Sequence, residues 1–132
     1  MAARIRGVHH VILTVSDVAR STHFYEQVLG TPAFPGDNRV RCISGGSFLL
    51  CLQCPPTHAL PDDRFDENRI GLDHIGFAVG SRTQLEELLM VLAVLKVETA
   101  GIEFDPDGEG EYVCFRDPDN IQVEFYVGDY HD

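Results

Sequence analysis

The sequence is short of basic residues: 10 Lys and Arg stand against 21 Asp and Glu, a formal net charge of −11 over 132 residues. A phosphate backbone is bound chiefly by neutralising it with Lys and Arg, so this deficit argues against nucleic acid as a partner. No run of ~18 apolar residues is present, and no membrane-spanning helix is expected. Arg4 and Arg6 near the start are not followed by an apolar stretch, so no secretory signal is expected either. Cysteine is scarce, with four residues, and nothing in their placement suggests a secreted disulfide scaffold. Cys51 and Cys54 form one isolated C-x-x-C, weak as a metal or redox motif. On a strand these two would point to opposite faces, so both are expected to be small buried thiols. What is present is 44% apolar residues on a chain of single-domain length, enough to bury a core without metal or disulfide staples. A soluble, acidic, cytoplasmic protein is expected, and six histidines make a metal site worth seeking.

The chain contains an internal repeat. His10-Val-Ile-Leu-Thr-Val15 matches His74-Ile-Gly-Phe-Ala-Val79, and each copy leads into an amphipathic helix. In the first, Ser16 or Asp17 can cap a helix over Val18–Leu29, with Val18, Phe24, Tyr25 and Val28 on one stripe. Gly30 suits its end, and Pro32 and Pro35 prevent continuation. In the second, Ser81 with Gln84 reads as a capping box before a stripe of Leu85, Leu88, Leu89, Leu92 and Leu95, ordinary core packing. Strands are predicted at Arg39–Ile43 and Phe48–Gln53, and again at Glu111–Arg116 and Ile121–Val127. Their connectors, Ser44-Gly-Gly-Ser47 and Asp117-Pro-Asp-Asn120, have the chemistry of hairpin turns. Each half reads strand–helix–strand–strand with one further short strand expected after the helix. The proline- and acid-rich stretch between them reads as a connector or lid. The class is α+β, helices outside and mostly antiparallel sheet inside.

Alternation along the strands sorts side chains by face. Val11, Leu13 and Val15 suit packing beneath a helix, as do Ile75, Phe77 and Val79, and Ile121, Val123, Phe125 and Val127. His10, His74 and Glu124 therefore fall on the other type of face. Singly, a strand His or Glu is ordinarily a solvated or hydrogen-bonded residue. Two histidines at equivalent repeat positions, with a carboxylate on an otherwise apolar strand, form a set that binds a divalent ion and leaves positions open for water or substrate. Fe(II), Mn(II), Ni(II) and Zn(II) all suit it. His9 is the decoy, expected on the helix-facing side.

With these residues in hand, the chain resembles the vicinal oxygen chelate superfamily, the glyoxalase, bleomycin-resistance and extradiol-dioxygenase group. The resembling segments are His10–Asp17, Ser21–Gly30, Gly71–Val79 and Phe115–Phe125, spread over nearly the whole length of the chain. The resemblance implies one domain over 1–132, made of two βαβββ modules (about 5–54 and 71–128, joined by connector 55–70) that form a cup around a metal. It implies metal ligands at the positions held here by His10, His74 and Glu124, a small-molecule substrate, and a homodimer.

Departures from the family pattern narrow the expected activity. Where glyoxalase I places a fourth acidic ligand, this chain has Cys51, expected as a buried neutral thiol lining the substrate side. Fosfomycin-resistance thiol transferases share the three ligands, but their serine-, glycine- and lysine-bearing loop is replaced by the acidic Asp105–Glu111, a poor host for a phosphonate. Extradiol dioxygenases add a helper Tyr and a helper His. The corresponding Tyr position is Cys114, with Tyr112 one pleat away, and His58 stands in the connector, where a free surface His is the simpler reading. Tyr126 and Tyr112 are the candidate acid–base groups. Arg116, Gln122 and Thr14 are the candidate substrate contacts, although Arg116 could equally serve a turn salt bridge with Asp117. The expected activity is a metal-dependent oxygenase or lyase, with glyoxalase I disfavoured. The rival expectation is a bleomycin-resistance-like protein that sequesters a drug or metabolite without catalysis. The acidic stretches Asp62–Glu67 and Asp105–Glu111 are expected to be rim loops that repel anions and concentrate cations.

Overall fold

A computed structural model of the chain describes residues 2–108 and 110–128. Glu109, within the expected acidic rim loop, lies outside the described residues. The chain divides into two compact units, Met1–Pro61 and Asp62–Asp132, so the break falls inside the expected connector. No helix among the described residues is long and apolar enough to cross a membrane.

The first unit runs β1 (His10–Thr14), α1 (Val18–Leu29), β2 (Val40–Ser44) and β3 (Leu49–Gln53). Helix α1 starts where the Asp17 carboxylate accepts the Arg20 N–H at 3.0 Å and ends at Gly30, whose φ of 70° favours glycine. The sheet order is β1-β3-β2, with β1 parallel and β2 antiparallel to β3. Leu13, Val15, Ile43, Leu50 and Leu52 are buried with Val18, Phe24, Tyr25 and Val28 of α1 as the core. The expected extra strand after the helix does not form in this unit. A single backbone bond, Phe34 N–H to the Cys42 carbonyl at 2.9 Å, stands in its place between prolines that have no N–H to pair.

The second unit runs β4 (Ile75–Val79), α2 (Arg82–Val94), β5 (Glu103–Asp105), β6 (Gly110–Arg116) and β7 (Gln122–Val127). Its order is β4-β7-β6-β5, with β4 parallel to β7 and the other pairs antiparallel. Here the extra strand is present as β5. Phe77, Val113, Phe115, Val123 and Phe125 are buried with Leu85, Leu88 and Leu92 of α2, so α2 covers one face of the sheet. The expected capping box does not form as such. Ser81 makes no side-chain cap, and the Gln84 side chain accepts from the Gly80 N–H, one residue short of the expected donor. The β6–β7 turn is built on buried Asp117, whose Oδ1 accepts the Asp119 and Ile121 N–H groups at 2.9 and 2.8 Å. The latter part of the connector docks on that turn: Phe65 N–H donates to the Asp119 carbonyl, and the Asn120 amide donates to the Phe65 carbonyl, both at 2.9 Å.

Candidate functional site

In the second unit, register and alternation bring the expected residues onto the sheet face that α2 leaves uncovered. Gly76, Glu124 and Cys114 form one row across β4, β7 and β6, and Ala78, Tyr126 and Tyr112 the next. His74 continues the alternation just before β4. Its Nε2 lies 3.6 Å from Glu124 Oε1, with the His74 side chain 37% exposed and that of Glu124 17%. Its other ring nitrogen, Nδ1, lies 2.6 Å from Asp73 Oδ1. The second Glu124 oxygen accepts from the Cys114 thiol at 3.4 Å, and the Gln122 amide approaches the same sulfur at 3.8 Å. Burial, reinforced by that carboxylate, pushes the Cys114 thiol up to about 11, so it is a neutral donor. Gly76 makes room for this arrangement: a Cβ there would stand 3.3 Å from Glu124 Oε1 and 3.4 Å from its Cγ.

Two donor atoms each about 2.1 Å from one ion, at octahedral to tetrahedral angles, lie about 3.0–3.4 Å apart. The 3.6 Å separation of His74 Nε2 and Glu124 Oε1 is a few tenths of an ångström from that, and the pair fits a shared divalent ion. Among the described residues there is no group of three or more His, Cys, Asp or Glu arranged as a ready-made site. His10 belongs to the first unit, on the face of β1 that also carries Ile12 and Thr14. It is exposed, and its Nδ1 lies 2.9 Å from His9 Nδ1. His9, expected on the helix-facing side of the strand, is instead exposed and touches His10.

The remaining candidates are placed as follows. Tyr112 and Tyr126 stack with rings 6.2 Å apart and 4° from parallel, and the Tyr126 hydroxyl donates to Asp105 at 3.3 Å. Nearby carboxylates, Glu103 first, raise the Tyr112 phenol, while burial and then Asp105 raise Tyr126, so both stay protonated. Arg116 is held neither by Asp117 nor free: its guanidinium forks onto Glu67 at 2.7 and 2.9 Å and also donates to the Asn120 carbonyl. This hydrogen bonding brings the Glu67 carboxyl down to about 2. Thr14 is exposed beside Gln53 on β3, and His58 is exposed in the connector.

The expectation for Cys51 is corrected. It is not a free thiol but is disulfide-bonded to Cys42, its direct cross-strand partner, with the two Cα atoms 4.1 Å apart. The C-x-x-C spacing weighs Cys51 against Cys54, whereas the antiparallel register sets it opposite Cys42. Cys54 is free. Asp73 and Glu67 were not singled out by the sequence. Asp73 is detectable there as the carboxylate adjoining a ligand-type His; the pairing of Glu67 with Arg116 is long-range and leaves no local signal.

Residues 7–125 match the family described as the Glyoxalase/Bleomycin resistance protein/Dioxygenase superfamily. The chain belongs to this superfamily. Among curated relatives, protein YwkD of Bacillus subtilis (strain 168) is 27% identical over 129 residues, covering 92% of this chain and 97% of its own. The metallothiol transferase FosB of Shouchella clausii (strain KSM-K16) is 27% identical over 132 residues, covering 94% of this chain and 82% of its own. Among solved structures, a glyoxylase/bleomycin resistance protein/dioxygenase domain from Frankia sp. EAN1pec superposes with a TM-score of 0.74 at 32% identity, covering 96% of this chain and 100% of that one.

Proposed function

We propose that this chain is a divalent-metal-dependent enzyme that chelates two adjacent oxygens of a small organic substrate, with oxygenase or lyase chemistry. His74 and Glu124 hold the ion, and His10, the repeat equivalent of His74, is the third ligand. The observation that carries this reading is the facing pair of His74 Nε2 and Glu124 Oε1 at 3.6 Å, with Nδ1 of the same ring engaged by Asp73. When bound, an Fe(II), Mn(II), Ni(II) or Zn(II) ion polarises a carbonyl or stabilises enediolate-like charge and, as iron, can bring substrate and oxygen together.

The chain's own groups supply the surroundings. The protonated phenols of Tyr112 and Tyr126 offer a flat wall and proton donors beside Glu124. The Tyr126 hydroxyl must leave Asp105 to act on a substrate. Arg116 meets a substrate carboxylate only by exchanging Glu67 for it. The Cys114 thiol donates to the second Glu124 oxygen, and the Gln122 amide donates to that sulfur. The metallothiol transferase relative favours a second reading, metal-dependent thiol transfer. The acidic stretch around Asp105 weighs against an anionic acceptor in that case.

The test is metal uptake followed by turnover. Protein freed of metal and then offered Fe(II), Mn(II), Ni(II) or Zn(II) should take up one ion per site, and H74A and E124A should not. Failure of all four ions to bind, with turnover of a catechol or a 2-oxoaldehyde absent, sinks the enzyme reading in favour of sequestration. Turnover that requires an added thiol selects the transferase reading.

A further inference from the structure

The geometry points to Asp73 and His9 as positioning residues that fix the tautomers of His74 and His10. The claim about metal affinity rests on the function proposed above; the claim about the tautomers stands without it. A carboxylate only accepts hydrogen bonds. The 2.6 Å contact of Asp73 Oδ1 with His74 Nδ1 therefore requires the ring proton to sit on Nδ1. The opposite tautomer would set a bare nitrogen lone pair against an anionic oxygen at that distance. With Nδ1 protonated, the neutral ring presents an unprotonated Nε2, and it is Nε2 that faces Glu124 Oε1 at 3.6 Å. That separation is beyond a normal N–H···O hydrogen bond. The two lone-pair atoms face one another as ligands of one ion would.

The repeat makes the same arrangement twice. His9 occupies the position of Asp73, and its Nδ1 lies 2.9 Å from His10 Nδ1. One of these nitrogens must donate to the other. Donation from His10 leaves its Nε2 bare, matching His74. With His10 as the donor, two different residue types, a carboxylate and an imidazole, do the same job at equivalent places. Such partners of a ligating His set its ring orientation and raise its basicity, and losing one typically weakens metal binding about 10–100-fold. Asp73 is largely exposed, so its contribution lies in orienting the ring, since a solvent-screened charge contributes little by itself.

The experiment reads imidazole 15N shifts by long-range 1H–15N correlation in metal-free full-length protein at about pH 9, where an ordinary imidazole is neutral. H74A and H10A assign the two rings. The expected result is that both rings carry the proton on Nδ1. D73A should move the His74 proton to Nε2 while leaving His10 unchanged, H9A should do the converse, and D73N, whose amide oxygen still accepts, should keep the native tautomer. Zn(II) affinity measured by competition should fall about 10–100-fold in D73A and recover most of that loss in D73N. A wild-type His74 ring with its proton on Nε2, or a D73A protein that keeps both its backbone spectrum and the wild-type tautomer, overturns the proposal. A wild-type protein that takes up no Zn(II) defeats the metal reading alone, and the 15N spectra still decide the role of Asp73.

Discussion

The substitution Gly76→Ala should change metal affinity and fold stability in opposite directions. Gly76 lies in β4 directly beside Glu124 of β7, with ordinary extended backbone. A Cβ at this position meets Glu124 Oε1 at 3.3 Å and Cγ at 3.4 Å. Comfortable contact between carbon atoms is about 3.5–4.0 Å, so the carboxylate must retreat by a few tenths of an ångström. Metal–ligand distances tolerate only about 0.2 Å. We therefore expect Zn(II) to bind about tenfold more weakly to G76A, equivalent to about 1.4 kcal/mol, and more weakly still to G76V. Folding should respond the other way. Glycine inside a strand costs roughly 0.5–1 kcal/mol relative to alanine, and G76A should recover part of that in metal-free protein. Urea unfolding of the metal-free protein and Zn(II) competition on the same samples measure the two effects. A general packing defect would lower both together. If G76A binds Zn(II) as tightly as wild type, Glu124 is not a ligand confined by this glycine, and the reasoning is wrong.

Three further outcomes follow from contacts within the units. The Glu67 carboxyl is held at about 2 against its ordinary 4.5 by the Arg116 fork. Its contribution is therefore fully present above pH 4.5 and is lost as pH falls towards 2. The stability gap between wild type and E67Q should close over that window, and a gap independent of pH would refute the pairing. Asp117 accepts two backbone N–H bonds while 5% exposed, so D117A should cost about 2–3 kcal/mol in urea unfolding and D117N clearly less. The Cys42–Cys51 bond closes a separation of 9 residues. Its reduction should cost about 2.5 kcal/mol by loop entropy, and non-reducing peptide mapping should recover the two peptides joined. Recovery of both as free thiols under oxidising conditions would contradict the bond.

Local signals were legible wherever chemistry acts within a turn or a strand. Helix α1 runs over the predicted Val18–Leu29 because Asp17, Gly30 and the prolines after it act on their immediate neighbours. The four predicted hairpin strands form within a residue of their expected bounds because turn residues punctuate them. Period-2 alternation also placed Glu124 on the uncovered face, since β7 is apolar at every other position. What was not legible depends on register or on distant chain. Cys42 and Cys51 meet because β2 and β3 pair with Cys42 opposite Cys51, and a one-residue slip would send the two to different faces. Glu67 reaches Arg116 because the connector folds back on the β6–β7 turn, which no local pattern announces. His9 is exposed rather than covered, which strand alternation alone does not reveal.

Comparing the two modules row by row shows why only the second supplies a carboxylate. The row Ile12–Cys51–Cys42 in the first unit corresponds to Gly76–Glu124–Cys114 in the second. Glu124 needs the space that Gly76 leaves open, for even a single Cβ there crowds its carboxylate. At the equivalent of Gly76 the first unit has Ile12, a bulky branched side chain, and beside it the smaller Cys51. The cysteines at 42 and 114 occupy equivalent positions but meet different neighbours. Cys114 finds a carboxylate and remains a neutral thiol that donates to it, whereas Cys42 finds another cysteine and is joined to it. A sulfur committed to a disulfide offers no thiolate, so the first unit presents no anionic donor in this row while the bond is intact. Under the function proposed above, the ligands are two imidazoles and one carboxylate, and the disulfide leaves Cys51 unable to act as a fourth, anionic one. An ion bound by three side chains would keep more coordination positions open to substrate oxygens than one bound by four, as the proposed chelation of two adjacent oxygens would require.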